Sequence, residues 1–484
     1  MKGINAMLSY IRTSAILVGL IALCGLLFQG CQRGSTYPPE VEKSVSAAGT
    51  NRAALEQVIA HFAQDPDTLK LQAAYYLIAN MEEHSYATYA LKDSSGNEVD
   101  FNVNDYDNYE DLLAGFDELE TEHGTLDFER GDKILDLENV SAEFLIGQID
   151  RAFRAWHEKP WAQWLDFELF RDYVLPYRGS NEPLEPWREF FWDKYAHIAE
   201  HLQDSTDPVA AAALINDDVR GYFTFDPRYY YHPTDQGLGE MLQSGLGRCE
   251  DMTNITIYAL RANGIAVTSD YTPYWADAGN NHAWNSIVTR DGTVIPFMGA
   301  EANPGDYGLA NKVAKVYRKM FGEQTQNLAF QGNKQESMPR WLAGKNYLDV
   351  TADYVDECDV TVRFEREIPD SVNVAYLCVF NSGEWKAIHW AKIEDSSATF
   401  TDMGPDLAYL PALYLNEEIF PWGPAFILGS DCGQTAFVPN HDSTIALALH
   451  STTIRAQVAS TDGIAGQRLT EGQEYELQYW EDGW

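Results

Sequence analysis

The sequence predicts a multidomain α+β protein. Three changes of texture carry that expectation: helical periodicity through the first 190 residues, a helix then a hairpin near the centre, and alternating strand-like runs beyond about residue 345. A chain of 484 residues exceeds one core and implies roughly three domains at ~150 residues each. The expected divisions are a signal segment at 1–30, a tether at 31–48, a helical domain at 49–190, a central α+β domain at 191–344, and one or two β-sandwich modules at 345–484.

Composition limits the function classes. Net charge is −39, which repels phosphate backbones and excludes nucleic acid as an expected partner. The 13 Trp, 27 Tyr and 22 Phe suit core packing, or a sugar- or peptide-binding surface.

The first element is a targeting segment. Lys2 and Arg12 accompany an almost unbroken apolar run over 14–28, and Gln29-Gly30-Cys31 follows before the chain turns polar. This resembles a bacterial lipoprotein signal cut before Cys31, which becomes the lipidated first residue. Cys24 is a weaker cleavage position, because Leu23 before it is not small. A plain secretory signal or an uncleaved anchor helix is the alternative. The resemblance implies an exported protein, tethered by lipid in the bacterial cell envelope at the outer membrane, facing the periplasm or the surface. No later run reaches the roughly 18 apolar residues a membrane span needs.

Cys358, Cys378 and Cys432 share the C-terminal third, so at most one disulfide forms there without using Cys249. Neither Cys-x-x-Cys nor His-Glu-x-x-His occurs, and no metal or other cofactor is expected.

Residues 32–48 read as a tether of Gly, Ser, Pro and Ala. Asp65-Pro66-Asp67 reads as a helix start, and Ala73, Ala74, Leu77, Ile78 and Met81 recur at three and four as a buried face. Residues 92–136 are acid-rich. Their spacing fails the EF-hand pattern and reads as a solvated helix–loop face, with 93–97 as a turn. Residues 140–173 are again helix-like. Pro176, Pro183 and Pro186 then make a rigid connection carrying Arg178 and Arg188. These arginines either bind an anionic substrate group or pair with Glu182 and Glu185. Residues 187–214 read as more helix. The aromatic stretch 222–231 either lines a cleft or packs beneath it.

The central stretch is Gly247-Arg248-Cys249-Glu250-Asp251. Cys249 opens an expected helix over 249–263, stopped by Gly264. In that first turn unpaired N–H groups and the helix dipole favour a thiolate, so a lowered thiol pKa is expected, and the same groups can receive an oxyanion. A strand is expected over 265–271, a loop with Trp275 over 272–280, and a strand from His282 to 289. Arg290-Asp291-Gly292 turns the chain, and 293–297 returns. A cysteine at a helix start before a histidine at a strand start suits a thiol nucleophile and its base. Each could instead be a buried structural side chain.

Three pieces together resemble the transglutaminase-like family of papain-type thiol enzymes, over roughly residues 220–305. They are Gly-x-Cys-x-Asp heading a helix, Leu260-Arg261-Ala262-Asn263-Gly264-Ile265 at its end, and Asn281-His282-Ala283-Trp284 on the hairpin. The resemblance implies a central α+β domain of that type, with Cys249 as nucleophile and His282 as base. Trp275, Trp284 and Tyr271, around the hairpin, are the expected substrate-binding side chains. The wider layout resembles transglutaminase-domain lipoproteins of Bacteroidetes-like bacteria, through Leu175-Pro176-Tyr177-Arg178, Glu185-Pro186-Trp187-Arg188 and Pro296-Phe297-Met298-Gly299-Ala300-Glu301.

The family's third member is usually an Asp on the strand after the histidine hairpin, and Met298 stands near that place here. With Asp291-Gly292 as a two-residue loop, His282 faces Glu301, which becomes the expected orienting carboxylate. Asn281, Asn285 and Asn303 are alternatives. The implied reaction is acyl transfer on a peptide or protein amide, by hydrolysis or transamidation. The competing expectation is a module that keeps the fold without chemistry and binds glycan or protein.

Beyond residue 345, strand-like runs at 360–364, 372–380, 384–393, 398–400, 408–415 and 445–449 are separated by turn residues, with Asn381-Ser382-Gly383 as a hairpin signal. Trp385, Trp390 and Trp422 either pack in this β region or present a glycan- or protein-binding face.

Overall fold

The computed structural model describes residues 37–332 and 337–437, with the backbone of 450–451 and 467–468. The signal segment, Cys31 and the run at 445–449 lie outside the described residues.

Helix α1 (Pro39–Ala47) starts on proline, where the missing N–H is no loss, and buries Val41 and Val45. The stretch expected to be tether up to residue 48 is therefore partly a packed helix. Helices α2 (Arg52–Phe62) and α3 (Thr68–Ala79) follow. Asp67 caps α3 by accepting from the Leu69 N–H at 3.0 Å, and the expected face of Ala73, Ala74, Leu77 and Ile78 is buried. The acid-rich stretch differs from its expected helix–loop form. Strands β1 (Ser85–Asp93) and β2 (Leu126–Leu135) pair antiparallel, with α4 (Tyr109–His123) between them in sequence. Most side chains on both strands are exposed or half-buried, so no apolar alternation marks them in the sequence. The turn at 93–97 forms as expected: Asp93 Oδ1 accepts from Ser95 N and Asn97 N at 2.8 and 2.9 Å.

Helices α5 (Ala142–Glu158) and α6 (Trp187–Lys194) flank the proline-rich connection. Arg178 is engaged there by Asp136, with Nε to Oδ2 at 2.6 Å, and Tyr177 donates its hydroxyl to the same carboxylate at 3.0 Å. Arg188 donates to Gln148 Oε1 at 2.8 Å and to the carbonyls of Val174, Leu175, Pro176 and Arg261. Both guanidiniums are buried, and both brace the connection against the helices.

After α7 (Pro208–Arg220) comes the central helix α8 (Cys249–Ala262), buried along almost its whole length. It packs on a five-stranded antiparallel sheet of β3 (Val267–Thr272), β4 (His282–Val288), β5 (Val294–Phe297), β6 (Tyr317–Lys319) and β7 (Tyr347–Asp349), in the order β5-β4-β3-β6-β7. Helices α5 and α6 pack on the other sides of α8. One hydrophobic core consequently runs from Val41 through α8 to Val350, across the expected divisions at 190 and 344.

The C-terminal region is β-rich, as expected. Its strands are β8 (Cys358–Arg363), β9 (Val374–Asn381), β10 (Glu384–Glu394), β11 (Ser397–Met403), β12 (Leu407–Leu415), β13 (Glu418–Pro421), β14 (Phe426–Leu428) and β15 (Gln434–Ala436). Where one or two sandwich modules were expected, these strands form a single antiparallel sheet curled as a half-barrel, in the order β8-β11-β10-β9-β12-β14-β15 with β13 on β12. Alternation along β9 explains it: Ala375, Leu377 and Val379 fill the inside, while Val374, Tyr376 and Cys378 pack against Tyr317 and Tyr347 of the central sheet. The one disulfide among the described residues, Cys358–Cys432, fits the expected cysteine arithmetic, and Cys378 stays free and buried.

Candidate active site

Cys249 heads α8, as its sequence context predicts. Asp251 builds that start: its buried carboxylate accepts from Arg248 N and Gln236 N, both at 2.9 Å. Gly247 is required two residues before the cysteine, because a Cβ there would stand 2.6 Å from Asp251 Cβ and 2.7 Å from the Phe223 ring. Arg248 turns away to an ion pair with Asp235 at 2.9 Å. The thiol of Cys249 is 8% exposed and donates to Glu250 Oε2 at 3.6 Å. The other oxygen of Glu250 accepts from Lys319 Nζ at 3.0 Å.

The lowered thiol pKa expected from the helix start is reversed. Burial and the adjacent Glu250 carboxylate push it up to about 12, only partly opposed by the Ala283 N–H and the Arg248 charge. Burial also holds the His282 imidazole below its ordinary value. The resting pair is a neutral thiol beside a neutral imidazole, which suits proton transfer to a base at attack and not a standing ion pair. Glu250→Gln is expected to raise the rate of Cys249 alkylation by iodoacetamide at pH 8 by about tenfold or more, one pK unit being a factor of ten in thiolate. An unchanged rate in a stably folded variant would remove Glu250 from control of the thiol.

His282 begins β4, and the peptide N–H of its neighbour Ala283 reaches the Cys249 sulfur. Among the described residues no hydrogen bond joins Cys249 and His282. The thiol is taken by Glu250, and His282 Nε2 lies 2.9 Å from the Tyr307 hydroxyl. The hairpin after β4 corrects the expected register. Its loop has three residues, not two: Thr289 N donates to Thr293 O, Gly292 N donates to Thr289 O, and Gly292 takes φ of 81°. Ser286 therefore faces Pro296 and Asn285 faces Phe297, one step from the assumed pairing. Strand β5 ends at Phe297, and Met298 bridges to Ala302, turning the chain before Glu301 can face His282. Glu301 makes no hydrogen bond to His282 among the described residues; its charge acts on the Tyr307 hydroxyl. Asn285 and Asn303 are committed elsewhere, to Thr253 and to Asn216 with Asp217.

Tyr307 was not anticipated. Its only local signal is a Pro304-Gly305 turn carrying an aromatic residue beyond the hairpin. Its hydroxyl is the group that engages the imidazole, at Nε2. The nitrogen left for the thiol is Nδ1, and for that atom to act as base the proton sits on Nε2 with the Tyr307 oxygen accepting.

The loop before His282 is held by the C-terminal sheet. Asn381, in the turn expected between β9 and β10, donates its amide to the carbonyls of Trp275, Ala278 and Asn280 at 2.9, 3.0 and 2.8 Å. Ser382 Oγ accepts from Asn280 N at 3.1 Å. Trp275 stacks on His282 with centroids 5.7 Å apart. Trp284 is fully buried behind the imidazole, its Nε1 donating to Tyr354 at 3.0 Å, which leaves no face for substrate. Tyr271 lines a cavity beside Lys319. Of the aromatic stretch before the nucleophile, Tyr229 packs inward, while Tyr230 is partly exposed and lies near Cys249, Arg248 and Glu250. Trp385, Trp341, Tyr274 and Tyr414 line a separate groove of about 960 Å³ on the β region. Among the described residues no group of three or more His, Cys, Asp or Glu side chains is placed to hold a metal.

Residues 196–297 match the family model of the transglutaminase-like superfamily. No curated protein and no solved structure gives a significant match. The matched stretch contains both the helix headed by Cys249 and the hairpin begun by His282, and the central domain of the chain is transglutaminase-like.

Proposed function

We propose that this protein is a thiol-dependent acyltransferase or amide hydrolase of the cell envelope, acting on a peptide or protein through a Cys249 thioester. The carrying observation is the buried thiol at the start of α8 beside the His282 strand, inside the matched segment. When a substrate amide enters, the thiol proton passes to His282 Nδ1 and the sulfur attacks the carbonyl carbon. Backbone N–H groups at the head of α8 are suited to the oxyanion. The C–N bond breaks, and the leaving amine takes the proton from His282. Water, or an amine from a second chain, then attacks the thioester with His282 again accepting a proton, and the C–S bond breaks to restore the thiol.

Export with a lipid on Cys31 is part of the same reading. The Cys358–Cys432 disulfide supports it, since such bonds persist in oxidising compartments. A second reading, a binding or assembly module without chemistry, is favoured by the grip of Glu250 on the thiol and by the aromatic groove near Trp385.

The two part on one experiment. Full-length protein is assayed for release of amine from peptide amides and for incorporation of a fluorescent primary amine into protein. Cys249→Ala is expected to abolish both, while Cys378→Ala, at the other free cysteine among the described residues, leaves them intact. Activity that survives Cys249→Ala, or no activity in the wild type together with a thiol inert to iodoacetamide, ends the enzyme reading.

A further inference from the structure

The cavity beside Lys319 takes no part in the steps above. It holds about 190 Å³. Its floor is the face of the central sheet that meets α8. Tyr271 pairs with Tyr317, and the same antiparallel register sets Ser269 opposite Lys319. Lys319 in its lining donates to one oxygen of Glu250 at 3.0 Å, and the other oxygen of Glu250 accepts from the Cys249 thiol at 3.6 Å, so a single carboxylate separates the cavity's ammonium from the thiol.

Its walls are built for an anion. Ser269 is 1% exposed, yet its hydroxyl has no hydrogen-bond partner among the described residues, an unfavourable state for a buried donor. Lys319 presents an ammonium there, ion-paired with Glu250 and also in the field of Asp235 and Glu182. Arg261 lines the wall and donates only to carbonyls, those of Tyr173, Val267, Pro176 and Arg178. Arg188 behind it has no carboxylate partner either among the described residues. Burial drives both guanidinium pKa values down, Arg261 to about 10. The remaining lining charge, Arg178, is matched by Asp136 and Glu182. Within a chain of net charge −39 this is a cationic recess.

We infer that the cavity receives a carboxylate, and that it is the C-terminal carboxylate of the peptide whose amide Cys249 attacks. The choice of a peptide rests on the acyl-transfer reading. The two contacts of Glu250 bring the Lys319 ammonium within about 9 Å of the sulfur, a reach that one or two extended residues span once bonded to the sulfur at one end and paired with the ammonium at the other. The leaving group is therefore a single amino acid or a dipeptide. Its amine departs with the proton from His282 while its carboxylate stays on Lys319 and Ser269.

The test is direct binding to full-length Cys249→Ala protein, which cannot turn over. The probes are dipeptides with small, apolar and polar side chains, each as free acid and as C-terminal amide, and succinate. The best free acid is expected to bind at least about tenfold more tightly than its amide. Ser269→Ala should weaken that acid about threefold or more with no loss of Tm, since the hydroxyl has no partner to lose in the free protein. Lys319→Met should weaken it further. Acids and amides that bind alike, no acid that binds at millimolar concentration, or succinate that binds as tightly as the best dipeptide would each overturn the assignment. Acid-selective binding to a protein that never alkylates or turns over keeps the cavity and removes the enzyme. Turnover of free and amidated peptides at equal rates does the reverse.

Discussion

His282→Ala is expected to lower kcat/KM for amide cleavage by about 10²–10⁴-fold, the range a positioned general base supplies. Tyr307→Phe should fall short of that and act on kcat more than on KM. It removes the atom 2.9 Å from Nε2 and leaves the ring that packs against His282 and Trp284. Glu301→Gln should act less again, because Glu301 reaches the imidazole only through the Tyr307 hydroxyl. The pH profile carries a sign. His282 works as a neutral base, and burial places its pKa below the ordinary 6.5. Activity should therefore rise with pH along a limb centred below 6.5 and then hold through neutrality, since the thiol does not ionise until about pH 12. Steady-state rates across pH, with Tm recorded for each variant, check the series. A Glu301→Gln loss as deep as that of His282→Ala would restore Glu301 as the direct orienter and displace Tyr307.

Arg178→Met is expected to destabilise the folded chain by about 3–5 kcal/mol, the usual cost of stripping one partner from a buried ion pair. The Arg178 side chain is 2% exposed and Asp136 1%, so the remaining carboxylate would be left with the Tyr177 hydroxyl alone among side chains. Pairing Arg178→Met with Asp136→Leu should recover part of the loss, because apolar side chains replace two of the desolvated charges while the buried Glu182 keeps the Gly179 and Ser180 N–H groups but loses its arginine. Denaturant titration of the two single variants and the double reads this out. A single variant as stable as wild type would mean that the pair is not buried in solution. The effect should reach the site as well, since the Arg178 carbonyl accepts from Arg261 on α8 at 2.7 Å.

The reach of sequence reasoning can be followed residue by residue. A helix start at Asp65-Pro66-Asp67, the 93–97 turn, Gly264 as a helix stop and the hairpin at Asn381-Ser382-Gly383 were all legible, because each is decided within a few residues by backbone geometry, although the cap proves to be Asp67, after the proline. Cys249 at a helix start and His282 at a strand start were legible for the same reason. The three-residue hairpin loop was not: Gly292 takes a positive φ in it as it would in a two-residue Asp291-Gly292 loop, so the glycine does not tell the two apart, and the one-step difference moved the expected partners of β4. Strands β1 and β2 were hidden because neither buries an apolar face.

What the sequence determined by itself is the chemistry at hand: a thiol heading a helix, an imidazole opening a strand, and one possible disulfide within the C-terminal third. What only the tertiary structure decided is the state and support of that chemistry. Tyr307 lies 25 residues beyond the imidazole it holds, and Asn381 lies 101 to 106 residues from the loop carbonyls it gathers. Lys319 pairs with Glu250 across 69 residues, and the ionisation of Cys249 follows from how deeply α8 is covered. Caps and turns are satisfied locally and leave marks on neighbouring residues. Burial and long-range hydrogen bonds are settled by which surfaces meet when the core closes, and no short stretch of sequence records that.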